Sequence, residues 1–143
     1  MIYLDSTCLV RLYFEDAGYK LVRHLAASDA IACAQHGRVE VISAFHRKLR
    51  ERAFSARLYE ITLRQFVDEM RAGAFRWLPL SESVFERVEL MYASLPAAIF
   101  LRAADALHLS TASENGFREI HSNDAKLLNA APHFGLRGLN VID

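Results

Sequence analysis

The sequence predicts an α/β domain whose parallel sheet is covered by helices on both faces. Short apolar runs suited to strands alternate along the chain with longer runs of helical spacing, the pattern of a parallel sheet joined by helical crossovers. The 143 residues suffice for one domain with a real hydrophobic core, so a single domain over 1–143 is expected. Hydrophobic residues make up 52% and charged residues 24%, with only 6 Gly and 3 Pro, which argues against long disordered tails.

In chain order, the first strand is expected over residues 1–4, edged by Asp5. Residues 6–14 (STCLVRLYF) read as a helix and 18–27 as another, followed by an apolar strand over 30–34 (AIACA). Two long helices follow, 36–53 and 55–72, and their short connection makes them an antiparallel pair. Trp77 and Pro79 fall in a linker or edge segment with no assigned element. Ser81 caps the clearest helix, in which Val84, Phe85, Val88, Met91, Tyr92 and Leu95 recur at helical spacing until Pro96 ends it. A further helix over 99–114 is broken at Gly116. Residues 117–121 (FREIH) form a third short strand, 124–131 a short helix, and 139–142 a last strand. No repeat, low-complexity tract or second domain interrupts this order.

Lys and Arg total 17 and so do Asp and Glu, so the chain does not grip nucleic acid by bulk charge, although a local basic groove beside an acidic site stays open. Cys8 and Cys33 lack metal-ligand spacing and read as small buried hydrophobes in a reducing compartment. MIYLD opens a strand rather than a signal peptide and no apolar run approaches a membrane span, so no membrane association and a cytoplasmic location are expected.

Four carboxylates carry the chemical signal: Asp5, Glu40, Asp105 and Asp124. Asp5 follows the first strand, where it either caps the next helix or, with Ser6 or Thr7 as the cap, faces the carboxyl end of the sheet. Glu40 lies in the first turns of its helix and points away from the packed side marked by Val41, Ile42, Phe45 and Leu49. It is either a solvated surface group or part of a site near a strand end. In LRAADALHLSTA, Leu101, Asp105, His108, Leu109 and Ala112 share one helical face, which sets Asp105 into an apolar stripe. Burying a carboxylate there requires a partner, either an arginine or a metal. Asp124 trails the FREIH strand, and Ser122, Asn123 or Asp124 itself could cap the helix that follows. Converging carboxylates repel one another, and a divalent ion with a preference for oxygen ligands relieves that repulsion. One such ion can polarise a phosphoryl oxygen and acidify a water, and a second about 3.5–4 Å away can stabilise the leaving oxygen. No serine–histidine or cysteine–histidine pattern competes for the role of nucleophile.

Together, MIYLDSTCLV, VEVISAFHRKLRE, LRAADALHLSTA and HSNDAKLLNAAPHFGL resemble the PIN-domain family, in particular small single-domain ribonuclease toxins of the VapC type. The resemblance covers nearly the whole chain in the expected order, including Ala131, Gly135 and Leu136 near its end. It implies a three-layer α/β/α sandwich with a mainly parallel central sheet of about five strands. It implies Mg²⁺- or Mn²⁺-dependent endonuclease action on RNA, with Asp5, Glu40 and Asp105 as the main metal-binding set and Asp124 completing the pocket. A homodimer held inactive by a cognate VapB-type antitoxin, and structured cellular RNA as substrate, are implied as well. One departure is the segment ACAQHGRVE, which lacks the serine or threonine that often opens this helix in the family and leaves Gln35 and His36 in its place.

Around the acids, Arg102 is placed to reach either Asp105 or an RNA phosphate. Arg38, Arg47, Lys48 and Arg50 on the Glu40 helix, and Lys126 beside Asp124, either steer a phosphate backbone or form a solvated surface. His108 reads as a core histidine rather than a ligand. Phe45, Phe54, Tyr59, Phe66, Phe75 and Trp77 gather around the two middle helices, mostly as core, and the helix pair suits an antitoxin peptide or a second subunit. A phosphatase of the haloacid dehalogenase class needs a second aspartate two residues after the first, where Thr7 stands instead. A nuclease of RNA maturation and a non-catalytic interaction domain are the other readings, and the filled acidic positions count against the latter.

Overall fold

Alternation of side chains along the strands decides which helices cover which face of the sheet. The computed structural model describes residues 1–142, so only Asp143 of the expected domain lies outside the described residues. The elements are β1 (Ile2–Tyr3), α1 (Ser6–Tyr13), α2 (Tyr19–Ala26), β2 (Ile31–Ala34), α3 (Gly37–Arg50), α4 (Ala56–Arg71), β3 (Phe75–Leu78), α5 (Glu82–Ser94), α6 (Ala103–Glu114), β4 (Glu119–His121), α7 (Ala125–Ala130) and β5 (Arg137–Leu139).

β1 pairs with β2, β2 with β3 and β4 with β5, each in parallel. A parallel bridge between Leu4 and His121, with the Asp5 N–H donating to the His121 carbonyl at 3.0 Å, joins the two groups. The result is one five-strand sheet in the order β3-β2-β1-β4-β5. Leu4, Ile31, Cys33 and Phe75 point to one face and pack with Leu9, Val22, Phe45 and Phe66 of α1 to α4. Tyr3, Ala32, Ala34 and Ile120 point to the other and pack with Leu109, Ala112, Leu127 and Ala130 of α6 and α7, with Met91 of α5 alongside. This is the expected α/β/α sandwich. Chain order reverses between β1 and β4, and the crevice at the carboxyl ends of such a pair is where open α/β sheets bind ligands.

The structure departs from the sequence expectations in several places. Trp77 belongs to β3, an edge strand whose Arg76 is exposed; four residues with one charge carry too weak a pattern to be read. β5 covers Arg137–Leu139 rather than 139–142, in parallel register with β4 from Glu119 to His121, and Arg137 pairs with Glu119 on that strand. α6 begins at Ala103, because Arg102 is extended and a turn from Pro96 to Ile99 precedes it. α3 opens without a side-chain cap at His36, and Gly37 lies so close to β2 that a Cβ there would sit 2.5 Å from Cys33 Sγ. Only a glycine fits that close approach, and the Glu40 helix starts without a hydroxyl cap. Lys48 is not part of a solvated surface: it is buried, bonded to Asp16 at 2.8 Å and stacked on Phe14. Cys8 and Cys33 are free and buried, as expected. Among the described residues no helix is long and apolar enough to cross a membrane.

Candidate functional site

Asp5 and Asp124 each leave a central strand and cap the helix that follows. Asp5 Oδ1 accepts from the Cys8 N–H at 3.1 Å and from the Thr7 hydroxyl at 2.6 Å. Asp124 Oδ1 accepts from the N–H groups of Lys126 at 2.8 Å and Leu127 at 3.3 Å. The alternative caps Ser6, Thr7, Ser122 and Asn123 are therefore not used as caps. Capping and facing the crevice are compatible, because a carboxylate has two oxygens and the cap occupies one. Asp5 Oδ2 accepts from the Ser122 hydroxyl, whose oxygen in turn accepts the Asp124 N–H at 2.9 Å. Thr7 Oγ1 likewise accepts the Asn123 N–H at 2.9 Å, so two hydroxyls lock the β1 and β4 ends together.

Asp105 lies in the first turn of α6, nearly inaccessible, and Arg102 grips it with Nε at 2.7 Å and a terminal nitrogen at 3.3 Å. The same guanidinium pairs with Asp124. Of the two partners the sequence allowed for Asp105, the arginine is in place. Its hydrogen bond to Asp105 is the main reason the Arg102 pKa is raised. Glu40, by contrast, turns toward α6 rather than outward: its Oε2 lies 2.6 Å from His108 Nε2 and 3.8 Å from His36 Nε2. His36 reaches the Ala104 carbonyl at 3.1 Å, which ties the start of α3 to that of α6.

All four carboxylates line one open cleft of about 770 Å³, together with Arg102 and Arg47. Lys126 stands outside that lining, its ammonium 4.3 Å from the centre of the exposed Phe100 ring. Burial pushes the Asp5 carboxyl up, opposed by the nearby His108 and by hydrogen bonds from Ser122, Thr7 and Cys8. Burial acts in the same sense on Glu40, but the hydrogen bond from His108 leads the effects that outweigh it and its pKa is lowered. His36 is pushed down to about 4, first by burial and then by His108.

Asp5 is buried and, among the described residues, has no arginine, lysine or histidine within ion-pair distance, a cost that a cation in the cleft would relieve. His36, Glu40 and His108 bring one ligand atom each to within 4.8 Å of one another, a His/Glu group capable of coordinating a divalent metal. Among the described residues the four carboxylates do not by themselves form such a group, and Arg102 pairs with both Asp105 and Asp124. The His36, Glu40 and His108 group fits a divalent ion through one carboxylate oxygen and two ring nitrogens at the α3–α6 edge of the cleft.

Sequence reasoning missed Ser122 and Thr7 as clamps on Asp5, and His36 and His108 as partners of Glu40. The spacing of His108 from Asp105, three residues on one helix face, was the one available signal for the latter.

The sequence matches the PIN domain model over residues 2–132, and the chain belongs to the PIN-domain family. Its fold is shared with FitAcB from Neisseria gonorrhoeae at a TM-score of 0.77 and 15% identity, covering 99% of this chain and 98% of that one. VapC20 from Mycobacterium tuberculosis, a sarcin-ricin loop cleaving toxin, aligns at a TM-score of 0.71 and 16% identity over 96% of this chain and 99% of that one. VapBC2 from Rickettsia felis, bound to a DNA fragment from their promoter, aligns at 0.68 and 18% identity over 98% of each chain. No curated protein sequence matches.

Proposed function

We propose that the chain is a Mg²⁺- or Mn²⁺-dependent endoribonuclease that acts as the toxin of a VapBC-type toxin–antitoxin pair. The observation that carries this reading is the convergence of Asp5, Glu40, Asp105 and Asp124 on one cleft at the strand-order reversal. Asp5, Glu40 and Asp105 would hold the ion, with Asp124 completing the pocket. A bound divalent ion supplies Lewis-acid polarisation of the phosphoryl oxygen and a water acidic enough to attack near neutral pH.

The chain's own residues do the rest. Ser122, Thr7 and the Cys8 N–H hold the Asp5 carboxylate in a single orientation. Arg102, forked and exposed on its outer side, can share its guanidinium between the acids and a substrate phosphate. Arg47 at the cleft rim, and more distantly Lys126, guide the RNA backbone. Exposed Val39 on α3 and Leu58 and Ile61 on α4 supply apolar surface for a VapB-type antitoxin or for the second subunit of a homodimer. Similar folds include a toxin–antitoxin complex from Klebsiella pneumoniae, which supports the partner assignment. The expected setting is the cytoplasm, where RNA and antitoxin meet.

The test is cleavage of total cellular RNA by purified, partner-free protein with Mg²⁺ or Mn²⁺, beside EDTA and Asp5→Asn controls. Discrete fragments that vanish in both controls support the nuclease. Intact RNA across folded preparations would sink it. Neutralisation of toxicity by a small co-expressed partner separates the toxin from an RNA-processing nuclease of the same family.

A further inference from the structure

We propose that His108 is a positioning residue for this centre, aiming the Glu40 carboxylate through a hydrogen-bond chain that starts at the backbone of β2. The proposal rests on the nuclease reading above. The Ala34 N–H donates to the Tyr3 hydroxyl oxygen at 3.1 Å, and that oxygen lies 2.8 Å from His108 Nδ1. Tyr3 is fully buried, and its hydroxyl has one proton to give. With its oxygen already accepting from Ala34, that proton goes to His108 Nδ1, which makes Nδ1 an acceptor. In the neutral ring the remaining proton is then on Nε2, and Nε2–H donates to Glu40 Oε2 at 2.6 Å.

Each link is held by a different element, so the chain is rigid where Glu40 is not. Glu40 reaches from α3 on a flexible side chain that is about a third exposed. His108 is 1% exposed, and its ring is wedged edge-on to Tyr3. It is also one turn beyond Asp105 on α6, so a single helix presents Asp105 directly and orients Glu40 by proxy. His108 could itself take an ion at Nε2 only by surrendering the proton now directed at Glu40. Positioning and ligation by His108 are therefore mutually exclusive and can be told apart.

The experiment combines histidine ¹⁵N NMR with calorimetric Mn²⁺ binding and RNA cleavage on wild type, His108→Ala, His108→Gln and Tyr3→Phe. Wild type is expected to show His108 protonated at Nε2 and bare at Nδ1. His108→Ala should lose about 10–100-fold in Mn²⁺ affinity and in kcat, the usual scale for a residue behind a metal ligand, with KM for RNA little changed. His108→Gln, whose amide can still donate to Glu40, should recover most of that loss. Tyr3→Phe should shift the tautomer balance and fall between the two. A proton on Nδ1, equal Mn²⁺ affinities for the Ala and Gln variants, or no Mn²⁺ binding by wild type would each overturn the proposal. Should His108→Ala fail to fold, wild type and His108→Gln decide alone. Wild-type protein that binds Mn²⁺ but leaves RNA intact removes the nuclease reading, while the tautomer and the affinities still judge the role of His108.

Discussion

The two faces of the sheet are packed differently where the helices cross them. On the α1–α4 face, aromatic rings interlock edge to face: Phe45 with Phe66 at 5.8 Å, Tyr13 with Phe66 at 5.3 Å and Phe14 with Phe54 at 4.9 Å. On the other face the sheet presents Ala32 and Ala34 to Ala112 and Leu109 of α6, all fully buried. Large rings fill volume and bury area, so the first face supplies much of the stability. Small side chains permit α6 to pack close over the sheet, and α6 carries Asp105 into the cleft and His108 against Glu40. One face holds the molecule together, whereas the other sets a distance on which the cleft depends.

Phe66→Ala should produce the largest effect on stability, about 3–5 kcal/mol in urea unfolding, because it empties the centre of the aromatic cluster. RNA cleavage measured well below the transition should remain near wild type; a parallel collapse of activity would deny that the two faces have separate roles. Asp5→Asn is expected to do the reverse. Asparagine still caps α1, so stability should stay within about 1 kcal/mol. Cleavage should fall at least about a hundredfold, equivalent to roughly 3 kcal/mol of barrier.

Ala112→Leu tests the narrow face directly. Overpacking should cost about 1–3 kcal/mol and lift α6, so cleavage and Mn²⁺ affinity should drop together. Unchanged activity in a folded Ala112→Leu protein would break the argument that small residues set the site. The mildest effect is expected from pH. His36 has a folded pKa of about 4, below its value in the unfolded chain, so between about pH 4 and 6.5 the unfolded state binds more protons. Stability should decline as pH falls through that window, and the lowered pKa of Glu40 extends the decline at the acid end. His36→Gln should flatten the slope of denaturation midpoint against pH; an unaltered slope would place the titration elsewhere.

Much of this arrangement was legible in the chain. Helical spacing located α3 to α6, and the acids that trail strands announced Asp5 and Asp124. Asp105 stood out because a carboxylate in an apolar stripe must find a partner. β3 and β5 were hard to place because each is a short edge strand with an exposed arginine, Arg76 or Arg137, where one face meets solvent and alternation fades. Periodicity leaves Glu40 between a solvated surface and a site near a strand end, because it describes its own helix and not the neighbour that attracts it.

The sequence by itself determined the α/β class, the family and the places along the chain where carboxylates meet strand ends. The class and the acid positions depend on local spacing, capping chemistry and burial cost, all of which act within a few residues. The family rests instead on the resemblance of four stretches along the chain. Only the tertiary structure decided that each aspartate both caps a helix and faces the cleft, that Arg102 bridges two acids, and that His108 holds Glu40. The bonds that settle these points join residues 117, 22 and 68 positions apart for Ser122–Asp5, Arg102–Asp124 and His108–Glu40. A hydrogen bond is a matter of a few tenths of an ångström, and across such separations that precision exists only after the sheet has brought its strand ends together.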